Sequence, residues 1–477
     1  MNYKTAQSVE LVERDGATFL MSRTPLTLLR LNGSLVSLVR RAMAGAVSAA
    51  SEAEARVLEQ LALKGFLVRL PDVAQQEATF PTVSIVIPVL DRADELGRCL
   101  ESLARIDYPK EKLQVIVVDD GSRDDSAQVA RRSGALVVPS GGTRLGPAAA
   151  RNAGAASAGG ELLAFIDSDC TASPGWLAEL VPHFRDQKTA AVGGKVEGMC
   201  SASAIDRYEA VMSSLSLGSR ERFSNSGDDT FYLPSCNLLV RRSVFLSVHG
   251  FEASMQVGED VDLTWRLRDA GWTIAYLPAG NIRHEHRSSL QSFMSRRFDY
   301  GTSEGMLQKI HPLRRKRFLL PPVLGVVLAL FLLAPVWGWW SIPAAFGLLA
   351  ADAALYRLRI ARRGVPLRFW ELLAGRLRAL GGLCYYLSYH LIRYYALVLC
   401  AVALLLPWFW AVPAALLLVA AGVDYRIRKP QLSFFRFAGI YSLEQVAYGA
   451  GVFWGCLRDR GFGSYRVLLL RKMELPA

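Results

Sequence analysis

Cysteine is sparse in the 477-residue sequence: seven residues, at 99, 170, 200, 236, 384, 400 and 456, odd in number and with no Cys-x-x-Cys spacing. That pattern excludes a disulfide framework or structural zinc centre and fits a reducing cytoplasm. Also missing are the Walker lysine loop, Gly-x-Gly-x-x-Gly and His-Glu-x-x-His, so kinase, dehydrogenase and zincin chemistries lack their residues. Residues 1–16 contain Lys4, Glu10, Glu13, Arg14 and Asp15, which leaves no apolar core for a secretory signal. There is no Gly-x-y period or heptad run. With 21% charged and 10% aromatic residues, the chain does not have the composition of a disordered one.

Apolar residues are instead abundant (51%) and concentrated, which disfavours a purely soluble enzyme. The net charge is +12, but from Leu313 onward 21 Lys and Arg stand against 6 Asp and Glu, so residues 1–312 are slightly acidic. That basic third holds two tracts without Asp, Glu, Lys or Arg, Phe318–Ala351 and Tyr394–Val423. About 20 apolar residues span a bilayer as a helix. Basic clusters flank both tracts: Arg314 to Arg317, Arg357 to Arg363, Arg376 with Arg378, and Arg426 to Lys429. Cytoplasmic flanks collect such residues, so both ends of each tract are expected on the cytoplasmic side. Each tract breaks at Pro and Trp, near Pro335–Pro343 and Pro407–Pro413, as a hairpin tip would require. Legs this short also suit re-entrant or tilted helices. Charges that bracket apolar tracts point to a membrane lipid partner and not to nucleic acid.

The first 75 residues read as a small separate module. Apolar residues recur at helical spacing through 24–45, and Ser51 is an N-cap for a second helix stopping near Gly65, followed by an extended Phe66–Leu70. A polar stretch, Pro71–Thr79, leads onward. From Thr82 the pattern changes to buried strands (Val83–Val89, Leu113–Val118, Ala135–Val138, Leu162–Ile166) separated by helix-like segments, which reads as an α/β domain with a largely parallel sheet. Ligands bind such sheets beyond the carboxyl ends of the strands.

Those strand ends are acidic. Pro88-Val89-Leu90-Asp91 closes the first strand, Asp119-Asp120-Gly121-Ser122 the second and Asp167-Ser168-Asp169 the fourth. Such a rim is unfavourable unless it holds a cation or hydrogen-bond donors from a base and ribose. An isolated Asp-x-Asp is commonly a capped turn; its place after a buried strand, downstream of two other acidic turns, favours function. Between them, Gly146–Gly154 forms a small-residue helix whose single Arg151 suits a phosphate. Glu259, Asp260 and Asp262 open an amphipathic helix, either to stabilise its dipole or to present a general base. His284-Glu285-His286-Arg287 follows the extended Thr273–Leu277 and is read as either polar surface or a metal or phosphate contact.

Taken in order, Val86-Ile87-Pro88 with Asp91, Val118–Ser122, Ala150–Gly154, Asp167–Asp169, Pro234–Asn237, Glu259-Asp260 and the His284 region resemble a family-2 glycosyltransferase of the GT-A fold over residues 82–300. Two departures are visible. Asp91 stands where the family often has Asn-Glu. Arg296-Arg297-Phe298-Asp299-Tyr300-Gly301 replaces the Gln-x-x-Arg-Trp of processive synthases, which argues against a long-chain polymer. The resemblance implies a UDP-sugar donor held by Pro88, Val89, Asp91, Asp119, Asp120, Arg151, Asp167 and Ser168. It implies Mg²⁺ or Mn²⁺ on Asp169, with Asp167 and His284, to neutralise the leaving diphosphate. Asp260, with Glu259 as competitor, would be the base of an inverting displacement. Ser235, Cys236, Asn237 and Asp262 would line the acceptor side.

The N-terminal segments Leu28–Val39 and Val57–Leu67 resemble the small winged-helix-like, peptide-binding modules of peptide-derived cofactor pathways. The order of module, transferase and hairpins resembles the glycosyltransferases of the mycofactocin system, which implies a peptide-derived small-molecule acceptor receiving β-linked glucose. The competing readings are a membrane glycosyltransferase acting on a lipid-linked or cell-envelope acceptor, and a scaffold that keeps the fold without catalysis. The expected organisation is a module over 1–75, a GT-A domain over 80–312 and membrane-associated hairpins over 313–477. The catalytic domain is expected on the cytoplasmic face of the cytoplasmic membrane.

Overall fold

A computed structural model describes residues 2–470 apart from 7–8, 15, 24–25, 71–79, 225–229 and 363–366. The polar stretch 71–79 and Arg363 therefore lie outside the described residues. The chain divides into two compact units. One comprises Met1–Ala78 and Leu319–Leu383 with a short C-terminal piece; the other comprises Thr79–Phe318 and Cys384–Leu469. The third expected segment, 313–477, is thus shared between them.

The first unit begins with four strands, β1 (Asn2–Thr5), β2 (Val9–Arg14), β3 (Ala17–Arg23) and β4 (Leu26–Leu31). Helix α1 (Gly33–Ala44), β5 (Val47–Ser48), α2 (Glu52–Leu63) and β6 (Leu67–Leu70) follow. β2–β4 form an antiparallel meander, and β1 lies between β5 and β6. Leu20, Leu38, Val39, Leu58 and Phe66 share one small core. The helical spacing read through 24–45 is correct only from Gly33. The preceding Leu26–Leu31 pairs with β3, and the Asn32 side chain then starts α1 by accepting the Leu35 N–H at 3.0 Å. Ser51 caps α2 in the same way, from the Glu54 N–H.

The second unit is built on an eight-stranded sheet. Its elements are β7 (Val83–Val89), α3 (Ala93–Ala104), β8 (Leu113–Asp119), α4 (Ser126–Arg132), β9 (Leu136–Pro139), α5 (Pro147–Ala156) and β10 (Leu162–Ile166). Next come β11 (Cys170–Ala172), α6 (Trp176–Leu180), β12 (Thr189–Gly193), β13 (Val196–Gly198), α7 (Ala204–Met212), β14 (Arg222–Ser224) and β15 (Asn237–Arg241). Then follow α8 (Arg242–Ser247), α9 (Glu259–Asp269), β16 (Thr273–Tyr276), β17 (Ile282–His284) and α10 (Leu290–Ile310). The strand order is β14-β16-β12-β15-β10-β7-β8-β9, with β11, β17 and β13 in a separate small sheet. β10, β7, β8 and β9 are parallel, as their continuous Val/Ile/Leu runs require. The sheet is nevertheless mixed, because β15 runs antiparallel to β10 and β12. That reversal positions the site: Asn237 pairs with Ile166, so the residues before β15 emerge at the same edge as those after β10.

The two apolar tracts fold as helix, break, helix. In the first, α11 (Pro322–Leu332) and α12 (Ala334–Trp337) lead to a turn at Gly338 before α13 (Ser341–Ala361). In the second, α14 (Phe369–Leu405) and α15 (Ala411–Arg428) meet at a Pro407–Trp410 turn, and α16 (Phe434–Arg458) follows. Tips are exposed: Trp339 and Leu405 are each 80% accessible. By length and composition, Phe369–Leu405 and Pro407–Arg428 could cross a membrane, whereas α11 is too short.

α16 is fastened to α10 through glycine. Gly301 and Gly305 face Gly451 and Gly455, two Gly-x-x-x-Gly pairs whose backbones touch. A Cβ on Gly451 would sit 2.0 Å from the Phe298 carbonyl oxygen, and one on Gly455 2.3 Å from that of Thr302. Overpacking of this kind costs about 1–3 kcal/mol. Gly451→Ala is therefore expected to lower the melting temperature of the detergent-purified protein. Gly439→Ala, on the same helix with open space around it, should leave it unchanged or slightly raised. Equal shifts for the two variants would contradict the close crossing.

Candidate active site

At the edge where β7, β8 and β10 end and β15 begins lies a cleft of about 840 Å³. Pro88, Val89, Asp120, Arg151, Asp167, Ser168, Asp169, Ser235, Cys236, Glu259, Asp260 and His284 all line it. Among the residues singled out from sequence, Asp91, Asp119, Asn237 and Asp262 are placed elsewhere, in structural networks.

α5 delivers Arg151. Pro147 starts the helix where a missing N–H is harmless. Gly154 allows the close approach to the sheet, since a Cβ there would lie 2.4 Å from Val86 Cγ1 and 2.8 Å from Val118 Cγ2. Asn152 ties the helix to Phe251, donating to its carbonyl and accepting its N–H. Arg151, 3% exposed, then donates to Asp167 Oδ1 at 2.6 Å and to Glu259 Oε1 at 2.8 Å. It is therefore not a free cation awaiting a phosphate; it fastens the end of β10 to the start of α9. Burial alone would raise the Asp167 carboxyl, but Arg151 and then the His284 ring hold it below its ordinary value.

α9 begins at Gly258, whose φ of +85° a side chain would resist. Asp260 stands in its first turn and lines the cleft. Its carboxylate accepts the Ser235 N–H at 3.2 Å, so the loop before β15 holds it. Burial, and then the adjacent Glu259 charge, push its carboxyl up to about 7. Of the two candidate carboxylates, Glu259 is committed to Arg151 and Asp260 is not. Asp262 bonds Arg266 and, at 2.9 Å, His311. Asn237, 1% exposed, accepts from Trp176 Nε1 and donates to the Lys195 and Gly280 carbonyls. The sequence signal at Asn237 belongs to fold closure: it anchors β15 beneath the site.

The nucleotide side shows a similar division. Asp120 accepts from the Ser140 hydroxyl and from the Leu145 and Gly146 N–H groups, so it shapes the loop into α5 while bordering the cleft. Asp119 accepts the Ser122 N–H of its own turn. Asp91, at φ +52°, accepts the Arg123 N–H and the Arg144 guanidinium, joining two rim loops.

Asp169 Oδ1 and His284 Nε2 lie 3.5 Å apart, and with Cys170 Sγ their donor atoms fall within 4.8 Å of one another. β11 pairs with β17 so that Cys170 faces His284, which brings the two segments together. The other Asp169 oxygen takes Arg92 at 2.6 Å. His284 Nδ1 is buried without a partner. A carboxylate and an imidazole converging on an open cleft fit a divalent cation completed by phosphate and water oxygens. Asp167 is not part of this cluster, because Arg151 holds it. Buried Cys170 keeps its proton, its thiol pushed well up by burial.

Sequence reasoning missed Arg92, Arg287 and Arg296, which also line the cleft. Among the described residues, no carboxylate holds Arg287 or Arg296. Arginine beside an acidic strand rim was the signal available. His286 also lines it; burial, then its His284 neighbour, push its ring down to about 3, so it stays neutral.

The sheet and its acidic edge are those of the GT-A glycosyltransferases. Residues 84–248 match the glycosyl transferase family 2 profile. The pre-mycofactocin glycosyltransferase of Mycobacterium tuberculosis is 32% identical over 401 residues, covering 80% of this chain and 81% of that protein. Glycosyltransferase AglE of Haloferax volcanii is 32% identical over 205 residues, 42% of this chain and 65% of that one. A mannosyltransferase from Pyrobaculum calidifontis, solved with GDP-Man and Mn²⁺, superposes with a TM-score of 0.39 at 21% identity, over 75% of this chain and 90% of that one. This chain belongs to glycosyltransferase family 2, and it is a glycosyltransferase.

Removing one partner of a buried ion network costs about 3–5 kcal/mol. Arg151→Met, which strands Asp167 and Glu259, is expected to lose stability on that scale in denaturant unfolding. A loss below about 1 kcal/mol would show that the bridge is dispensable.

Proposed function

We propose that the enzyme is an inverting, divalent-metal-dependent hexosyltransferase acting at the membrane in mycofactocin biosynthesis. It would transfer glucose from UDP-glucose in β linkage onto the peptide-derived precursor of that cofactor. The observation that carries the chemistry is Asp260: a carboxylate in the cleft, in no ion pair among the described residues, with its pKa raised to about 7. The 32% identity across four-fifths of both chains supports the pathway.

Asp260 accepts the proton of the acceptor hydroxyl as its oxygen attacks the anomeric carbon. The bond from that carbon to the diphosphate oxygen breaks on the opposite face, and the nucleoside diphosphate leaves. A single displacement of this kind inverts configuration. Asp169 and His284 would hold Mg²⁺ or Mn²⁺, which supplies charge neutralisation for the diphosphate. Arg287 and Arg296 add cationic donors that, among the described residues, no carboxylate holds. Pro88 and Val89 form the floor beside the base and ribose. Ser235 orients Asp260 through its N–H, and Cys236 lies beside it. The basic flanks and exposed hairpin tips support a catalytic domain on the cytoplasmic face of the membrane. The N-terminal unit, with its own core, is assigned to binding the peptide-derived substrate.

The apolar tips favour a second reading, in which the acceptor is a lipid-linked glycan. Mass spectrometry of the precursor and of a polyprenyl phosphate, each incubated with enzyme, metal and UDP-glucose, separates the two. Hexose addition to the precursor is expected; addition to the lipid alone would discard the pathway and keep the enzyme.

Loss of a general base typically costs 10²–10⁴ in rate. Asp260→Asn should fall by that factor while retaining UDP binding. Ionised Asp260 is the active form, so kcat/KM should fall as pH drops through about 7. Glu259→Gln removes the charge that adds to burial in raising Asp260 and should move that limb to lower pH. A pH profile unaffected by Glu259→Gln would assign the limb to another group.

A further inference from the structure

The cleft that holds Asp260 also takes part of its wall from α14 and α16, through Tyr389, Arg393, Tyr394 and Tyr448. These residues belong to the same compact unit as the catalytic sheet. Two of the rings are fixed. Glu304 on α10 accepts the Tyr394 hydroxyl at 2.7 Å and the Tyr448 hydroxyl at 2.6 Å, and it also takes the Lys316 ammonium. The carboxylate and both hydroxyls are occupied, so Tyr394 and Tyr448 present aromatic walls.

Arg393 differs. Its guanidinium lies 3.5 Å from the Tyr448 ring centroid and 5.4 Å from that of Tyr389. It donates to Gln445 Oε1 at 2.7 Å. Among the described residues no carboxylate lies within ion-pair distance of it. A guanidinium has five N–H donors, the Gln445 bond uses one of them, and Arg393 lines the cleft. A planar cation held between aromatic faces recognises a planar carbonyl or carboxylate. An acyl chain would strip its hydration and return nothing.

We infer that this compartment is the acceptor chamber, and that its occupant is a compact aglycone offering a planar carbonyl or carboxylate group to Arg393, without an acyl chain. The inference rests on Asp260 being the base that receives the acceptor's proton. It adds the acceptor class, which excludes the polyprenyl alternative.

The test uses the full chain in detergent, with calorimetric titration of the mycofactocin precursor and of a polyprenyl phosphate in the presence of UDP. Transfer kinetics are measured on the same preparations, and UDP binding reports that each variant is folded. Arg393→Gln is expected to weaken precursor binding and raise its KM tenfold or more, with the donor KM unchanged. Arg393→Lys, which keeps charge and loses the planar fork, should fall between. If both variants bind the precursor within twofold of wild type, or if polyprenyl phosphate binds the more tightly, the chamber is overturned. Transfer that is indifferent to Arg393 would sink the chamber and leave the proposed activity standing. Arg393-dependent binding without transfer would do the reverse.

Discussion

The guanidinium of Arg151 is the point on which the site's geometry turns. It is almost fully buried and bridges a carboxylate at the end of a central strand to one at the start of a helix more than 90 residues later. Charges taken out of water are tolerated only when paired at good geometry, so the bridge fixes where β10 ends relative to where α9 begins. Asp169 follows one anchor by two residues, and Asp260 follows the other by one. The separation between Asp169 and Asp260 is thus set by the Arg151 bridge.

The pairing also divides labour between adjacent acids. Glu259 is spent on Arg151, and its charge adds to burial in raising its neighbour. Asp260 is left with backbone donors alone, ready to take a proton near neutral pH. Two carboxylates in sequence thus have different chemistry because only one has a cation.

The catalytic domain was largely legible in the sequence. Long β-branched runs specified β7, β8 and β10 within a residue, and the acidic residues following them marked the edge where the cleft lies. Less legible was anything depending on strand direction. Asn237 looked like part of an acceptor loop, because nothing local distinguishes a cleft residue from the first residue of an antiparallel strand; its three hydrogen bonds are all to distant segments. Arg151 read as a phosphate ligand for the same reason, its partners lying 16 and 108 residues away. The helical spacing before Asn32 misled because a short paired strand and a helix turn share apolar content. The Gly-x-x-x-Gly pairs at 301/305 and 451/455 gain meaning only when α10 and α16 are known to cross.

That crossing has a consequence for how the enzyme can diversify. Where two helices meet backbone to backbone, there are no side chains to exchange, so the contact tolerates almost no drift and acts as a fixed hinge pin between catalytic sheet and C-terminal helices. Variation is pushed to the flanking faces of α10, α14 and α16, which border the cleft. The cleft wall can then be altered one residue at a time, while the crossing that holds α16 to the catalytic sheet stays as it is.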